Sequence, residues 1–190
     1  MQLVKIVPYQ AGWPAEFQML AAPLRTTLGN LALRIDHIGS TSVPGLAAKD
    51  VIDIQISVAA LDQHVVAAVQ SVGYKQGEGS WNDHRPPGFG GSDSEWEKLF
   101  FQPPPEQRRT NTHVRVLGRA NQRYPLLFRD YLRTHPATAE AYAELKRRLA
   151  DHLADPQTYP YVKDPAVDLI YFAAEDWAAI TGWQQGPSDA

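Results

Sequence analysis

The residues with the clearest chemical use lie between His37 and Ile56. Gly39-Ser40 ends an alternating run. A glycine lets backbone approach a phosphate closely, and a serine adds a hydroxyl donor beside backbone N–H groups. Lys49 follows as a point-charge partner for phosphate; an ion pair with Asp53 is its plainer role. Asp53 stands on the polar face of the next run, where a carboxylate would hold a divalent cation bridging those phosphates. Two acids at i and i+2 would share that face, but the second position is Gln55, a neutral and weaker oxygen ligand. Pairing of Asp53 with Lys49 or Arg115 is the structural alternative, since buried acids have such partners. His37 and His113 are expected near Asp53, which makes Asp53, Gln55, His113 and His37 the candidate metal ligands. His113 is also a candidate general base, and two satisfied structural histidines are the alternative.

Elements must position these groups. Trp13, Phe17, Leu20, Leu24 and Leu28 recur at helical spacing, with Pro14 in a first turn and Gly29 past the end. A strand over residues 31–38 leads to Gly39, and Val43-Pro44-Gly45 carries turn chemistry. Ile52, Ile54, Ile56 and Val58 alternate with Asp53, Gln55 and Ser57, the clearest strand in the chain. A helix over 61–71 follows. Residues 76–94 are rich in Gly, Pro and Ser, a loop long enough to be functional or mobile. Strands are expected over 98–102 and 112–117. Pro125–Arg133 reads as a helix broken at His135-Pro136, and the next helix shows Tyr142, Leu145, Leu149 and Leu153. Asp164-Pro165 signals the start of the last helix, and residues 184–190 read as frayed. The order describes an α+β core over 1–118 with a C-terminal helical extension over 119–184, packed as one unit.

Bulk properties bound the function. At 190 residues, with 44% hydrophobic and 21% charged residues, the chain can bury a full core. A net charge of −3 supplies no field for a long nucleic acid. There is no cysteine, which excludes thiolate metal sites and cysteine nucleophiles and fits a cytoplasmic protein. Residues 1–14 lack the pattern of a signal peptide, and no run approaches the ~20 apolar residues of a membrane span.

The run His37-Ile38-Gly39-Ser40-Thr41-Ser42-Val43-Pro44-Gly45-Leu46-Ala47-Ala48-Lys49, followed by Val51-Ile52-Asp53-Ile54, closely resembles the signature of the GrpB-like family. Thr112-His113-Val114, Phe128 to Arg133, Tyr142 with Lys146, and Tyr159 with Lys163 extend the resemblance over nearly the whole chain. Asp50 replaces a proline usual in that family. The resemblance implies a nucleotidyltransferase-like mixed sheet flanked by helices, in which Gly-Ser precedes an Asp-x-Asp/Glu strand and a third acid completes a magnesium site. Gly39, Ser40 and Asp53 match that pattern, while Gln55 departs from it and His113 stands where an acid is expected. Two functions stay open. One is transfer of a nucleotidyl group from a nucleoside triphosphate, with Asp53 and His113 catalytic, Gly39, Ser40 and Lys49 on the phosphates, and Mg2+ as cofactor. The other is non-catalytic binding of a nucleotide or other phosphorylated small molecule.

Overall fold

The computed structural model describes residues 4–78 and 81–190. Helix α1 (Trp13–Leu28) leads into strand β1 (Arg34–Ile38), and the Gly39 turn leads to β2 (Ile52–Val58). Helix α2 (Gln63–Ser71) follows, capped by the Asp62 carboxylate on the His64 and Val65 N–H groups. Then come β3 (Lys75–Gln76), β4 (Trp81–Asn82), β5 (Glu97–Gln102) and β6 (Thr110–Val116). Helices α3 (Ala120–Thr134), α4 (Pro136–His152) and α5 (Tyr159–Thr181) complete the chain. The fold is α+β. The mixed sheet runs β1-β2-β6-β5-β3, with β4 also on β5, and among the described residues only β2 and β6 pair in parallel.

Alternation gives the sheet two unlike faces. Ile35, Ile52, Ile54, Ile56, Val58 and Val114 are buried against Trp13, Phe17, Leu24 and Val65 of α1 and α2. Asp53, Gln55, Asn111, His113 and Arg115 share the opposite face, because Asp53 lies beside Asn111 and Gln55 beside His113. A second core joins α3, α4 and α5 to the 43–47 turn through Leu46, Leu127, Tyr142 and Tyr171. Asp50 is a tie at the sheet's end: its carboxylate accepts from Trp13 Nε1 at 2.9 Å and from Arg108.

Three expectations about the elements need correction. Helix α3 starts at Ala120, not Pro125, because the Glu95 carboxylate accepts the Ala120 N–H at 3.0 Å and satisfies its first turn. Helix α5 starts at Tyr159 and runs through Pro165. Asp155 caps the short turn before it, Pro160 occupies the first turn, and the burial of Tyr159 anchors that end. Residues 186–190 are not frayed but lie along β1. Ser188 Oγ accepts from Ile35 N at 2.8 Å, Ala190 N donates to Ile35 O at 3.0 Å, and the Asp189 carboxylate accepts from His37 N at 2.9 Å. The 76–94 segment, of which residues 79 and 80 lie outside the described residues, is anchored through Asp83, His84 and Phe89.

Candidate functional site

The site begins at one tight corner. Gly39 has φ +70°, and a Cβ there would come 2.1 Å from Asp53 Oδ2. Only glycine therefore allows the β1 turn and the β2 carboxylate to meet. The turn is braced by Ser42 Oγ, which donates to Gly39 O at 2.6 Å, and by Arg133, which donates to Ser42 O. Asn111 Nδ2 donates to Asp53 Oδ1 at 2.7 Å across the parallel pair. Burial raises the Asp53 pKa, opposed by the Asn111 hydrogen bond and by Lys163, Arg115 and Lys49.

In front of Asp53 opens a cavity of about 220 Å³. Asp53 is the single carboxylate on its lining, which also carries Lys49, Arg109, Lys146 and Lys163. Among the described residues Lys49, Arg109 and Lys146 form no salt bridge, and Lys163 reaches Asp164 at 3.8 Å. Lys146 Nζ donates to Ser40 Oγ at 3.0 Å and to Ala47 O. Burial, then Lys163 and Arg147, bring its pKa down to about 7. Burial, then Lys163 and Arg109, also lower Lys49, whose ammonium lies 4.0 Å from the Tyr159 ring centre. Burial lowers Lys163 against the attraction of Asp164 and Asp53.

The cleft continues. A second space of about 230 Å³ shares Ser40, Asp53, Tyr142 and Lys163 with the first and adds His113, Tyr124 and Phe128. A third of about 190 Å³ shares Tyr124, Pro125, Lys163 and Val167 with the second. Its charges are paired internally. Arg115 donates to Asp83 at 2.7 and 2.9 Å, and Lys98 and Asn121 donate to the same carboxylate. Burial opposes the Asp83 charge, but Arg115 and Lys98 outweigh it and hold that carboxyl well below its usual range.

Of the residues singled out in the sequence, Gly39, Ser40, Lys49, Asp53 and His113 line this cleft. His113 Nδ1 is buried without a hydrogen-bond partner among the described residues. Burial, then Arg115 and Lys98, keep its ring neutral. Gln55 lies beneath the floor with both ends of its amide used, Nε2 donating to Gln122 O and Oε1 accepting from Arg115. His37 does not stand with Asp53. It lies beside Ile54 on the opposite face of the sheet, stacked on Phe17 at 4.8 Å, with Nε2 3.0 Å from Thr41 Oγ1. Burial, then Arg133 and Arg129, lower its pKa to about 3, so it stays neutral there.

Among the described residues no group of three or more His, Asp or Glu side chains could hold a metal ion. A two-metal centre, which needs carboxylates shared between ions, does not fit these donors. A single magnesium ion carried in with phosphates needs as little as one protein carboxylate, which Asp53 supplies. Arg109, Asn111, Lys146 and Lys163 are site residues that sequence reasoning did not assign. The signal for Lys146 and Lys163 was their recurrence with Tyr142 and Tyr159 in the resemblance. No helix among the described residues is long and apolar enough to cross a membrane.

Comparison with known proteins bears on the family and the fold. The GrpB protein family model matches residues 3–172. The crystal structure of the conserved protein GrpB from Enterococcus faecalis superposes with a TM-score of 0.71 at 30% identity, covering 91% of this chain and 99% of that one. The structure of Cid1 in complex with its short product ApU gives a TM-score of 0.50 at 10% identity, over 76% of this chain and 42% of that one, a likeness of fold. A dephospho-CoA kinase of Mycolicibacterium paratuberculosis is 37% identical over 95% of this chain, which spans 48% of that protein. UPF0157 protein PA4798 of Pseudomonas aeruginosa is 35% identical over 88% of this chain and 66% of its own length. The chain thus spans about half the length of the mycobacterial relatives. With the family model matched over residues 3–172 and the GrpB structure superposed over 91% of the chain, the chain belongs to the GrpB family.

Proposed function

We propose that the chain binds a nucleoside triphosphate or a similar phosphorylated small molecule in the cleft, its phosphates among Ser40, Lys49, Arg109, Lys146 and Lys163. The observation that carries this reading is the charge imbalance of the first cavity, four cations against Asp53 in about 220 Å³. Burial works against the charge of three of them. Crowded like charges cost free energy until a counter-charge enters, and an oligophosphate supplies several. Millimolar tripolyphosphate or ATP is expected to raise the melting temperature, with about 2.7 kcal/mol of added stability at a hundred times Kd. No shift with any nucleotide or with tripolyphosphate would sink the reading.

Nucleotidyl transfer is the second reading, favoured by Asp53 seated against Gly39-Ser40 in a fold shared with Cid1. Magnesium bound at Asp53 would supply neutralisation of charge on the transferring phosphate. In this reading the acceptor hydroxyl oxygen bonds to the α-phosphorus as pyrophosphate leaves and its proton passes to solvent, while the neutral His113 ring orients the hydroxyl by accepting its hydrogen bond and Lys49 and Lys163 neutralise the phosphates. Pyrophosphate release that disappears in Asp53→Ala selects transfer. Binding without turnover that survives Asp53→Asn selects the binding module. The kinase activity for which the mycobacterial relatives are named is not carried over, since this chain spans about half of them and its 190 residues hold no G-x-x-x-x-G-K-[ST] run.

A further inference from the structure

The phosphate cavity does not end at Lys49 and Arg109. Both residues, with Val51, also line a further recess of about 320 Å³, which adds Lys5, Asp50, Val4 and Val7. Backbone pairing explains why two cations stand at that junction. Lys49 precedes β2 and Arg109 precedes β6, and Ile52 N donates to Arg109 O at 3.2 Å, so the parallel pair brings both to one end of the sheet. Each side chain is half-buried and faces both spaces.

The recess continues the charge imbalance of the first cavity on groups that solvent can reach. Lys5 is exposed, and among the described residues Lys5, Lys49 and Arg109 form no salt bridge. Lys5 is held in place from two residues away, where Val7 and Ala48 exchange backbone hydrogen bonds at 2.8 and 3.0 Å. Among the described residues the one acid on the lining is Asp50. Its carboxylate is already engaged by Trp13 Nε1 at 2.9 Å and by Arg108, which belongs to neither lining. Burial, then Lys163 and Arg109, already oppose the charge of Lys49. Like charges facing one space are stabilised by an anion that enters it.

Resting on the phosphate reading of the first cavity, we infer that the ligand's phosphate chain continues past Lys49 and Arg109 into the recess and reaches Lys5. The ligand class is thereby a linear chain of more than three phosphates. A triphosphate has enough charge to balance the first cavity by itself, so Lys5 and the outer sides of Lys49 and Arg109 answer to phosphates beyond the third. A linear chain suits this layout because its charges recur along one thread. The cations do the same, from Lys146 and Lys163 through Lys49 and Arg109 to Lys5. Such a chain comes as inorganic polyphosphate or between the two nucleosides of a dinucleoside polyphosphate, and the recess meets the phosphates in either.

The test compares tripolyphosphate, linear hexapolyphosphate and diadenosine pentaphosphate by titration calorimetry on the full chain, at one ionic strength. At least one of the two longer chains is expected to bind at least tenfold more tightly than tripolyphosphate. Lys5→Met is expected to remove most of that gain and Lys5→Glu all of it, both leaving tripolyphosphate affinity within twofold. Lys5 is exposed, so neither variant disturbs the core. Lys75→Met removes an exposed charge on β3 that lines neither space, and is expected to change nothing. That control separates a seated chain from general attraction of a polyanion. Whichever longer chain shows the Lys5-dependent gain names the source of the phosphates. Three results would overturn the extended site and leave the phosphate site standing: no gain with chain length, a gain untouched by both Lys5 variants, or an equal loss in Lys75→Met. Failure of every ligand to bind would overturn both readings.

Discussion

The two ends of the cleft hold similar numbers of charged groups and use them in opposite ways. At the Asp83 end, Arg115, Lys98 and Asn121 converge on one carboxylate and the charges close on themselves. At the Asp53 end, Asn111 takes one carboxylate oxygen while Lys49, Arg109 and Lys146 make no salt bridge among the described residues. A satisfied network of this kind holds the sheet to the 76–94 segment; an unbalanced one is what the proposed phosphates would satisfy. The difference teaches that perturbed pKa values alone do not mark a candidate binding end, because Asp83 at the closed end is strongly shifted as well. The sign of the imbalance does.

That contrast can be broken most forcefully at Arg115. Arg115→Ala leaves Asp83 with fewer partners and Gln55 Oε1 with none of its own, and removing one member of a buried pair costs about 3–5 kcal/mol. Urea denaturation should show a loss of that size. Gly39→Ala should come next, because the positive φ costs about 1–3 kcal/mol and the added carbon also collides with Asp53. It should lose the thermal shift given by tripolyphosphate as well.

At the open end the expected effects move from stability to binding. Lys163→Met should weaken tripolyphosphate at least tenfold, since hydrogen bonds to charged groups contribute about 1.5–3 kcal/mol. The melting temperature of the ligand-free protein should be unchanged or raised. A large loss of stability would mean that Lys163 belongs to a closed network like the one at Asp83.

A smaller effect is expected from pH. Lys146 has a folded pKa of about 7, below its ordinary 10.5, so an anion must restore its proton when it binds at higher pH. Affinity for ATP, whose single terminal phosphate completes its ionisation at about 6 to 7, should fall as pH rises from 7 to 9. Lys146→Arg, whose charge does not titrate there, should flatten the fall.

The pattern of successes in the sequence has a physical cause. The Gly39-Ser40 turn and the Asp53 strand were legible because both are local, a positive φ and a period of two. The place of His37 was legible in principle: Ile35 and His37 share a face by the same alternation that separates Asp53 from Ile54, which assigns His37 to the α1 side. The cation cluster was not legible. Lys146 meets Ser40 across 106 residues of sequence, and a Tyr142–Lys146 pair one helical turn apart looks like ordinary helix packing until the facing turn is known. Asn111 was hidden for a related reason, since only the register of β6 against β2 shows that it, rather than His113, lies beside Asp53. The starts of α3 and α5 were missed because distant or adjacent caps, Glu95 and Asp155, outweighed the prolines inside them.

The strip of chain along β1 has a consequence for how copies of the protein meet. β1 is the outermost strand of its sheet, and an outermost strand with bare N–H and C=O groups is a template on which another molecule can polymerise. Ser188, Asp189 and Ala190 occupy those groups at Ile35 and His37, while Arg25, Arg34 and Arg129 hold the strip in place. These few residues leave no bare groups at Ile35 and His37 on that edge, and their removal is expected to appear first as turbidity at high protein concentration, before any change in the cleft.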